Sequence, residues 1–279
     1  MEGKIDLINV GDGDAIIIRL KKNNESLLIV VDGGRPWDYE SVVKPKLISI
    51  LNEFNKKAPD IVIATHYDSD HIGGLIPLVQ DYIDDIKEVW IHKSPELTAT
   101  EKVLSENRSK NLKTLSQFYL EESLILENTN IKEESIREKS ELVIESIREL
   151  RRLLEIIPDN KIKEVFHGYS YRNWPELKVL GPTETFYNTL FPKDLSLKNL
   201  ILEETIDYLT ESNIKKRKAN LELFNLEENP CKYLKDDETA RLTPTNKASI
   251  IFSIDKDNKR FLFTGDAGIS SFKAIPDWE

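Results

Sequence analysis

Cysteine is almost missing from this chain. Cys231 is the only one among 279 residues, which excludes an intrachain disulfide and any cysteine-built metal site. Long apolar runs are missing too. Stretches such as Leu27 to Val31 fall far short of the ~18 residues that a helical membrane span needs. The opening MEGKIDLINV lacks the apolar segment of a secretory signal. A reducing cytoplasm is therefore the expected compartment, with no membrane partner. There is no basic excess: 39 Lys and Arg stand against 49 Asp and Glu, a formal charge of −10. That disfavours a broad phosphate-gripping surface, although a small cation site can still receive an anionic substrate. With 39% hydrophobic and 32% charged residues, the composition is that of a globular chain. Internal repeats and low-complexity tracts are absent.

What is present reads as α/β. Ala15 to Leu20 and Leu27 to Val31 are strands across a polar turn at residues 21–25, and Asp32-Gly33-Gly34 stops the second. From about Tyr39 to Lys57, Val43, Leu47, Ile50, Leu51 and Phe54 fall on one helical face, with Pro45 near the start. Pro59 resets the chain, and Ile61 to Ala64 is a short strand of the doubly buried type. A helix with Leu75, Leu78, Val79 and Tyr82 inward follows, then a strand over Glu88 to Ile91. Between 101 and 150 there is neither Gly nor Pro, and Val143, Ile147, Leu150, Leu154 and Ile157 recur at spacings of a long amphipathic helix. Its apolar stripe packs on the parent domain or, at near-heptad spacing, forms an arm for a protein partner or homodimer. Strands resume at Ile162 to Phe166 and Leu177 to Leu180, stopped by Gly181-Pro182. A second polar stretch covers about 184–240, and Ala248 to Ile254 with Arg260 to Thr264 makes a closing hairpin. The expected organisation is a single domain over 1–279 with helical insertions at about 96–160 and 184–240.

The chemistry concentrates in His66-x-Asp68-x-Asp70-His71, at the C-terminal end of a buried strand, where α/β sheets commonly hold ligands. Alternate spacing sends His66 and Asp68 to one side of an extended segment, while Asp70 and His71 point differently and address a second metal or a water. Mixed imidazole and carboxylate donors suit Zn²⁺, Mn²⁺ or Fe rather than Ca²⁺. Gly73-Gly74 lets the backbone approach closely.

THYDSDHIGG resembles the HxHxDH signature of the metallo-β-lactamase superfamily, with Asp68 in place of the second histidine. That replacement is similar to the ComEC-like metallohydrolase branch. Ile8 to Ala15 (INVGDGDA), Leu28 to Gly34 (LIVVDGG), Trp174 to Pro182, NKASII at 246–251 and FLFTGD at 261–266 resemble further landmarks of that branch in the same order. The resemblance implies an αββα sandwich, two mixed sheets face to face with helices outside. It implies two divalent ions, zinc first and manganese as the alternative. His66 and Asp68 would hold one, Asp70 and His71 the other, and Asp266 both. Asp14 and Asp32 would orient the ligands from behind. Asp70 is the catalytic candidate, beside a hydroxide generated by the metals. The implied activity is that of a nuclease or other phosphodiesterase, and domains of this branch also occur in bacterial antiphage systems.

The resemblance breaks at the end. The branch carries a further His motif after its Gly-Asp, whereas this chain closes at Glu279, so a C-terminally incomplete fold is expected, with the site completed by further residues or a partner chain. A non-catalytic interaction module with a degenerate site is the alternative from another class, and hydrolysis of a lactam, lactone or thioester is a third. The branch's middle histidine has no clear counterpart; Gly181 stands near its place. His92 and His167 are read as structural or surface residues. Lys215, Lys216, Arg217 and Lys218 are either a nucleic-acid contact or a solvated stretch. Trp37 either stacks on a ring at the cleft mouth or packs.

Overall fold

The computed structural model describes residues 1–23, 25–93, 133–172, 174–193, 195, 200–201, 203–205, 207, 242–276 and 278. Lys215, Lys216, Arg217, Lys218 and Cys231 lie outside the described residues.

Among the described residues, ten strands form two sheets. The larger has six in chain order: β1 (Glu2–Leu7), β2 (Ile16–Lys22), β3 (Glu25–Val31), β4 (Ile61–Ile63), β5 (Glu88–Trp90) and β6 (Ile162–Lys163). It is antiparallel from β1 to β3 and parallel from β3 to β6. The smaller contains β7 (Ser170–Tyr171), β8 (Trp174–Gly181), β9 (Ile251–Lys256) and β10 (Lys259–Phe263), in the order β10-β9-β8-β7. All its pairings are antiparallel, so it is not the mixed sheet expected. β7 with β8 and β9 with β10 join as hairpins, which can only pair antiparallel, and β8 and β9 pair antiparallel across the long connection 182–250. The strand expected at 162–166 shortens to two residues.

The apolar runs of β3 and β4 are continuous because both faces are covered. Leu28, Val30 and Val62 face a helical layer, while Leu27, Ile29, Val31, Ile61 and Ile63 face the small sheet and meet Leu177, Val179, Phe252 and Ile254. Helices α1 (Pro36–Asp38), α2 (Lys44–Phe54), α3 (Ser69–Ile72), α4 (Leu75–Tyr82) and α5 (Glu133–Ile156) follow on the large-sheet side. Beyond them come α6 (Glu184–Leu190), α7 (Pro244–Lys247) and α8 (Ile269–Lys273). Between α1 and α2 the chain makes a π turn over Tyr39–Val43, in which Lys44 N–H donates to the Tyr39 carbonyl. Pro45 has no N–H to offer the preceding turn, and the wider turn accommodates that. The layered arrangement is that of an αββα sandwich.

The long helix α5 packs its apolar stripe against the parent chain. Val143, Ile147, Leu150, Leu153 and Ile157 are buried in the same cluster as Leu75, Leu78 and Val79. Among the described residues, these positions of α5 are thus taken up within the chain.

Candidate metal centre

Three strand ends deliver the sequence-predicted residues to one place. Asp32 follows β3, His66 lies just past β4, and Asp266 follows β10. β3 and β4 are parallel neighbours, paired Val31 to Ile63, and Asp32 N–H donates to the Ile63 carbonyl at 2.8 Å. Asp32 then turns into the left-handed region, φ 52°, a conformation that Asp tolerates better than most residues. Its carboxylate comes back over the end of β4. There Oδ1 accepts Thr65 N–H at 2.8 Å, and Oδ2 accepts the Thr65 hydroxyl at 2.6 Å and His71 Nδ1 at 3.0 Å. The chain bends at Thr65 and His66, is extended at Asp68 and then enters α3, so Asp70 and His71 are helical. Two glycines make the packing possible: a Cβ on Gly13 would overlap the Asp70 carbonyl, and one on Gly74 would overlap that of Gly33.

The hydrogen bonds assign both histidine tautomers. An ionised carboxylate only accepts, so Asp32 takes the Thr65 hydroxyl proton. Thr65 Oγ1 lies 3.0 Å from His66 Nδ1 and, its own proton spent, can only accept there. His66 therefore carries its proton on Nδ1 and its lone pair on Nε2. That Nε2 is buried and has no hydrogen-bond partner. In the same way Asp32 holds the proton of His71 on Nδ1. The two rings lie 4.0 Å apart between centroids. His71 Nε2 is 3.8 Å from Asp266 Oδ1, and His66 Nε2 is 3.7 Å from Asp68 Oδ2. Donor atoms of His66, His71 and Asp266 all fall within 4.8 Å of one another, as do those of Asp14, Asp32 and His71.

The charges here lack balance without a cation. Burial pushes Asp266 and Asp14 above the usual carboxylate range; His71 pulls both back, and the neighbouring carboxylates push them further up. Burial opposes a charge on His71, but the hydrogen bond and charge of Asp32, with Asp266 and Asp70, outweigh it and push the imidazole up to about 10. His66 is driven well below its usual value, by burial and then by the charge on His71. A ring that stays neutral in a field of carboxylates, with its lone pair buried and unused, is the donor a divalent transition metal requires. The residues present fit such an ion.

The sequence matches the metallo-beta-lactamase superfamily profile over residues 8–159. The chain belongs to the metallo-beta-lactamase superfamily. No curated protein matches it. Metal-dependent hydrolysis is the general business of this superfamily, and the matched span holds every sequence-predicted site residue up to His71 as well as α5.

Asp70 takes a place of its own. Its Oδ2 is 4.0 Å from Arg35 Nη2, and Arg35 also binds Asp12 at 2.9 Å. Sequence reasoning passed over Arg35, although it follows the Asp32-Gly-Gly turn directly. Trp37, two residues on, is 65% exposed, so the packing alternative for it falls away. His92 is structural, as expected: its Nε2 donates to the Val165 carbonyl at 2.7 Å and its ring stacks on Phe166. His167 binds the Leu180 carbonyl through Nδ1. Gly181 offers no side chain to the centre and packs beneath Ile275. Thr65, which settles a tautomer, carries no signature in the sequence beyond its position before His66.

Proposed function

We propose that the chain is a metal-dependent phosphodiesterase of the ComEC-like kind, acting on nucleic acid. The observation that carries the reading is the buried, unpartnered Nε2 of His66 beside His71 and Asp266. His66, Asp68, Asp70, His71 and Asp266 would hold two divalent ions, Zn²⁺ or Mn²⁺. When bound, these supply Lewis-acid stabilisation of attacking and leaving oxygens. The chain's own residues do the rest. Asp32 fixes the His71 ring, Thr65 fixes the His66 ring, and Asp14 adds a further carboxylate beside His71. Arg35 stands at the rim next to Asp70, placed to receive a non-bridging phosphate oxygen. Trp37 offers a bare ring to a base, and the Arg35 guanidinium lies 5.8 Å from that ring. Asp68 in place of an imidazole makes one cation position harder and more anionic, which suits phosphate-oxygen chemistry.

A second reading has one observation in its favour. Ile5, Leu7, Ile16, Phe261 and Leu262 line an open groove of about 310 Å³ that reaches Asp32 and Thr65. An ester, lactone or thioester with an apolar arm would lie in it.

The test is cleavage of bis(p-nitrophenyl) phosphate, single-stranded DNA, duplex DNA and a p-nitrophenyl acyl ester by chelator-stripped protein reloaded with Zn²⁺ or Mn²⁺, alongside Asp70→Ala. Phosphodiester cleavage lost in Asp70→Ala supports the proposal. Equal cleavage by both proteins overturns it, and ester cleavage alone transfers support to the second reading.

A further inference from the structure

Between His66, Asp68 and Asp70 stand Tyr67 and Ser69, and each of these two is contacted from elsewhere in the chain. The backbone N–H of Ser69 donates to Ser146 Oγ at 3.1 Å, and Glu149 lies beside the Ser69 side chain with its Oε2 buried and without a hydrogen-bond partner. Ser146 and Glu149 lie on α5 and are both nearly inaccessible. The Tyr67 hydroxyl points at Glu204 Oε1, 3.5 Å away. The same oxygen accepts Thr245 N–H at 2.8 Å and the Thr245 hydroxyl. Glu204, only 2% exposed, is helical and belongs to the second insertion.

A buried carboxylate is costly unless its bonds repay it. Each insertion nevertheless spends buried polar groups on one of the two spacer residues of a single six-residue motif. An apolar contact would hold these helices down as well, and at lower cost. What a hydrogen-bonded polar group adds is direction: it fixes where Tyr67 and Ser69 sit, and thereby where the side chains on either side of them aim.

We propose that Glu204, and Ser146 with Glu149, are positioning residues for the cation-binding segment, and that the two helical insertions set the spacing of His66, Asp68 and Asp70. The proposal rests on the cation site of the reading above and is independent of its substrate. Tyr67 and Ser69 neighbour the ligands without being ligands, so the effect is smaller than the roughly 10- to 100-fold typical of groups bonded directly to a metal ligand. Glu204→Ala weakens Zn²⁺ binding several-fold, and the visible spectrum of the Co²⁺-loaded protein changes. Glu204→Gln, which keeps the accepting oxygen, restores both.

The experiment uses the full chain, with Zn²⁺ affinity from competition against a chromophoric chelator and the Co²⁺ spectrum as the second readout. Tyr67→Phe and Ser146→Ala accompany the Glu204 variants, so that a Glu204→Ala protein that fails to fold does not end the test. Each of the two is expected to lose several-fold in affinity and to shift the Co²⁺ bands. Wild-type affinity and an unchanged spectrum in Tyr67→Phe and Ser146→Ala, or in a folded Glu204→Ala, overturn the proposal. So does a Glu204→Gln protein as impaired as Glu204→Ala. Neither readout involves phosphodiester cleavage, so a failure of the hydrolase reading is told apart from a failure here.

Discussion

Asp32 and His71 meet at 3.0 Å, carboxylate oxygen to Nδ1, with both side chains almost wholly out of solvent. The pair ties the end of β3 to α3 and leaves Nε2 as the only nitrogen of that ring able to face Asp266. Asp32→Asn removes the charge that favours a cation on His71 and lets the ring turn. The expected loss in Zn²⁺ affinity is about 10- to 100-fold, read by chelator competition. An unchanged affinity would mean that His71 is not oriented by Asp32.

Thr65→Val deletes the hydroxyl that both serves Asp32 and receives His66 Nδ1–H. Two buried polar groups then lose a partner, and the variant should unfold at lower urea, by ~1–3 kcal/mol. Thr65→Ser keeps the hydroxyl and should stay within ~1 kcal/mol of the parent protein. If Val and Ser behave alike, the tautomer argument for His66 fails.

Stability against pH carries two opposite slopes in the metal-free protein. Burial pushes His92 down to about 4, against weaker help from its backbone partners. The unfolded chain then binds more protons between pH 6.5 and 4, so the native state loses stability as pH falls through that window, by up to about 3 kcal/mol. Burial and then the charge on Asp68 push Glu204 up to about 8, against the bonds from Thr245. Here the native state holds the extra proton, and stability declines as pH rises from about 4.5 towards 8. Urea midpoints from pH 4 to 8 should show Glu204→Gln flattening the neutral side alone. A Glu204→Gln profile parallel to wild type at every pH would refute the Glu204 half.

Arg35→Ala removes the cation beside Asp70 without touching a histidine. With bis(p-nitrophenyl) phosphate the expected result is a KM raised about tenfold or more, from loss of one charge-assisted bond. Zn²⁺ affinity is expected to change little. A fall in metal affinity with KM unaltered would make Arg35 a brace for Asp70 and not a substrate contact.

Ile147 and Leu150 are wholly buried on α5, while Leu142 is exposed. Ile147→Ala or Leu150→Ala should cost ~2–5 kcal/mol in chemical denaturation, whereas Leu142→Ala should stay within ~0.5 kcal/mol. Mild costs at all three positions, together with a changed sedimentation coefficient, would return the helix to the role of an intermolecular arm.

Much of the candidate centre was legible because its residues sit in short local motifs: His66 to His71 in one, Asp32 before two glycines, Asp266 after a strand with two phenylalanines. The helical period of Val143, Ile147 and Leu150 placed α5 for the same reason. The stripe could not say what it faces, since period reports a face and not a partner. Glu204, Ser146, Arg35 and Thr65 were invisible for a different reason. Each matters through a contact with a residue distant along the chain or through the single proton it gives or receives, and neither leaves a spacing to read. The small sheet was expected to be mixed because the fold was taken from the resemblance whole, whereas two of its three pairings are hairpins and the third joins them antiparallel.

The bond from Asp32 N–H to the Ile63 carbonyl has a kinetic meaning. Side chains along a strand alternate between its faces, so sliding β3 by one residue against β4 would turn Asp32 away from Thr65 and leave neither imidazole with its anchored proton. Until those two strands lock in register, Asp32 cannot orient the imidazoles towards a divalent ion. Zinc capture during refolding should then follow strand pairing and never precede it, which makes a zinc-sensitive dye a clock for the slow, non-local step of folding.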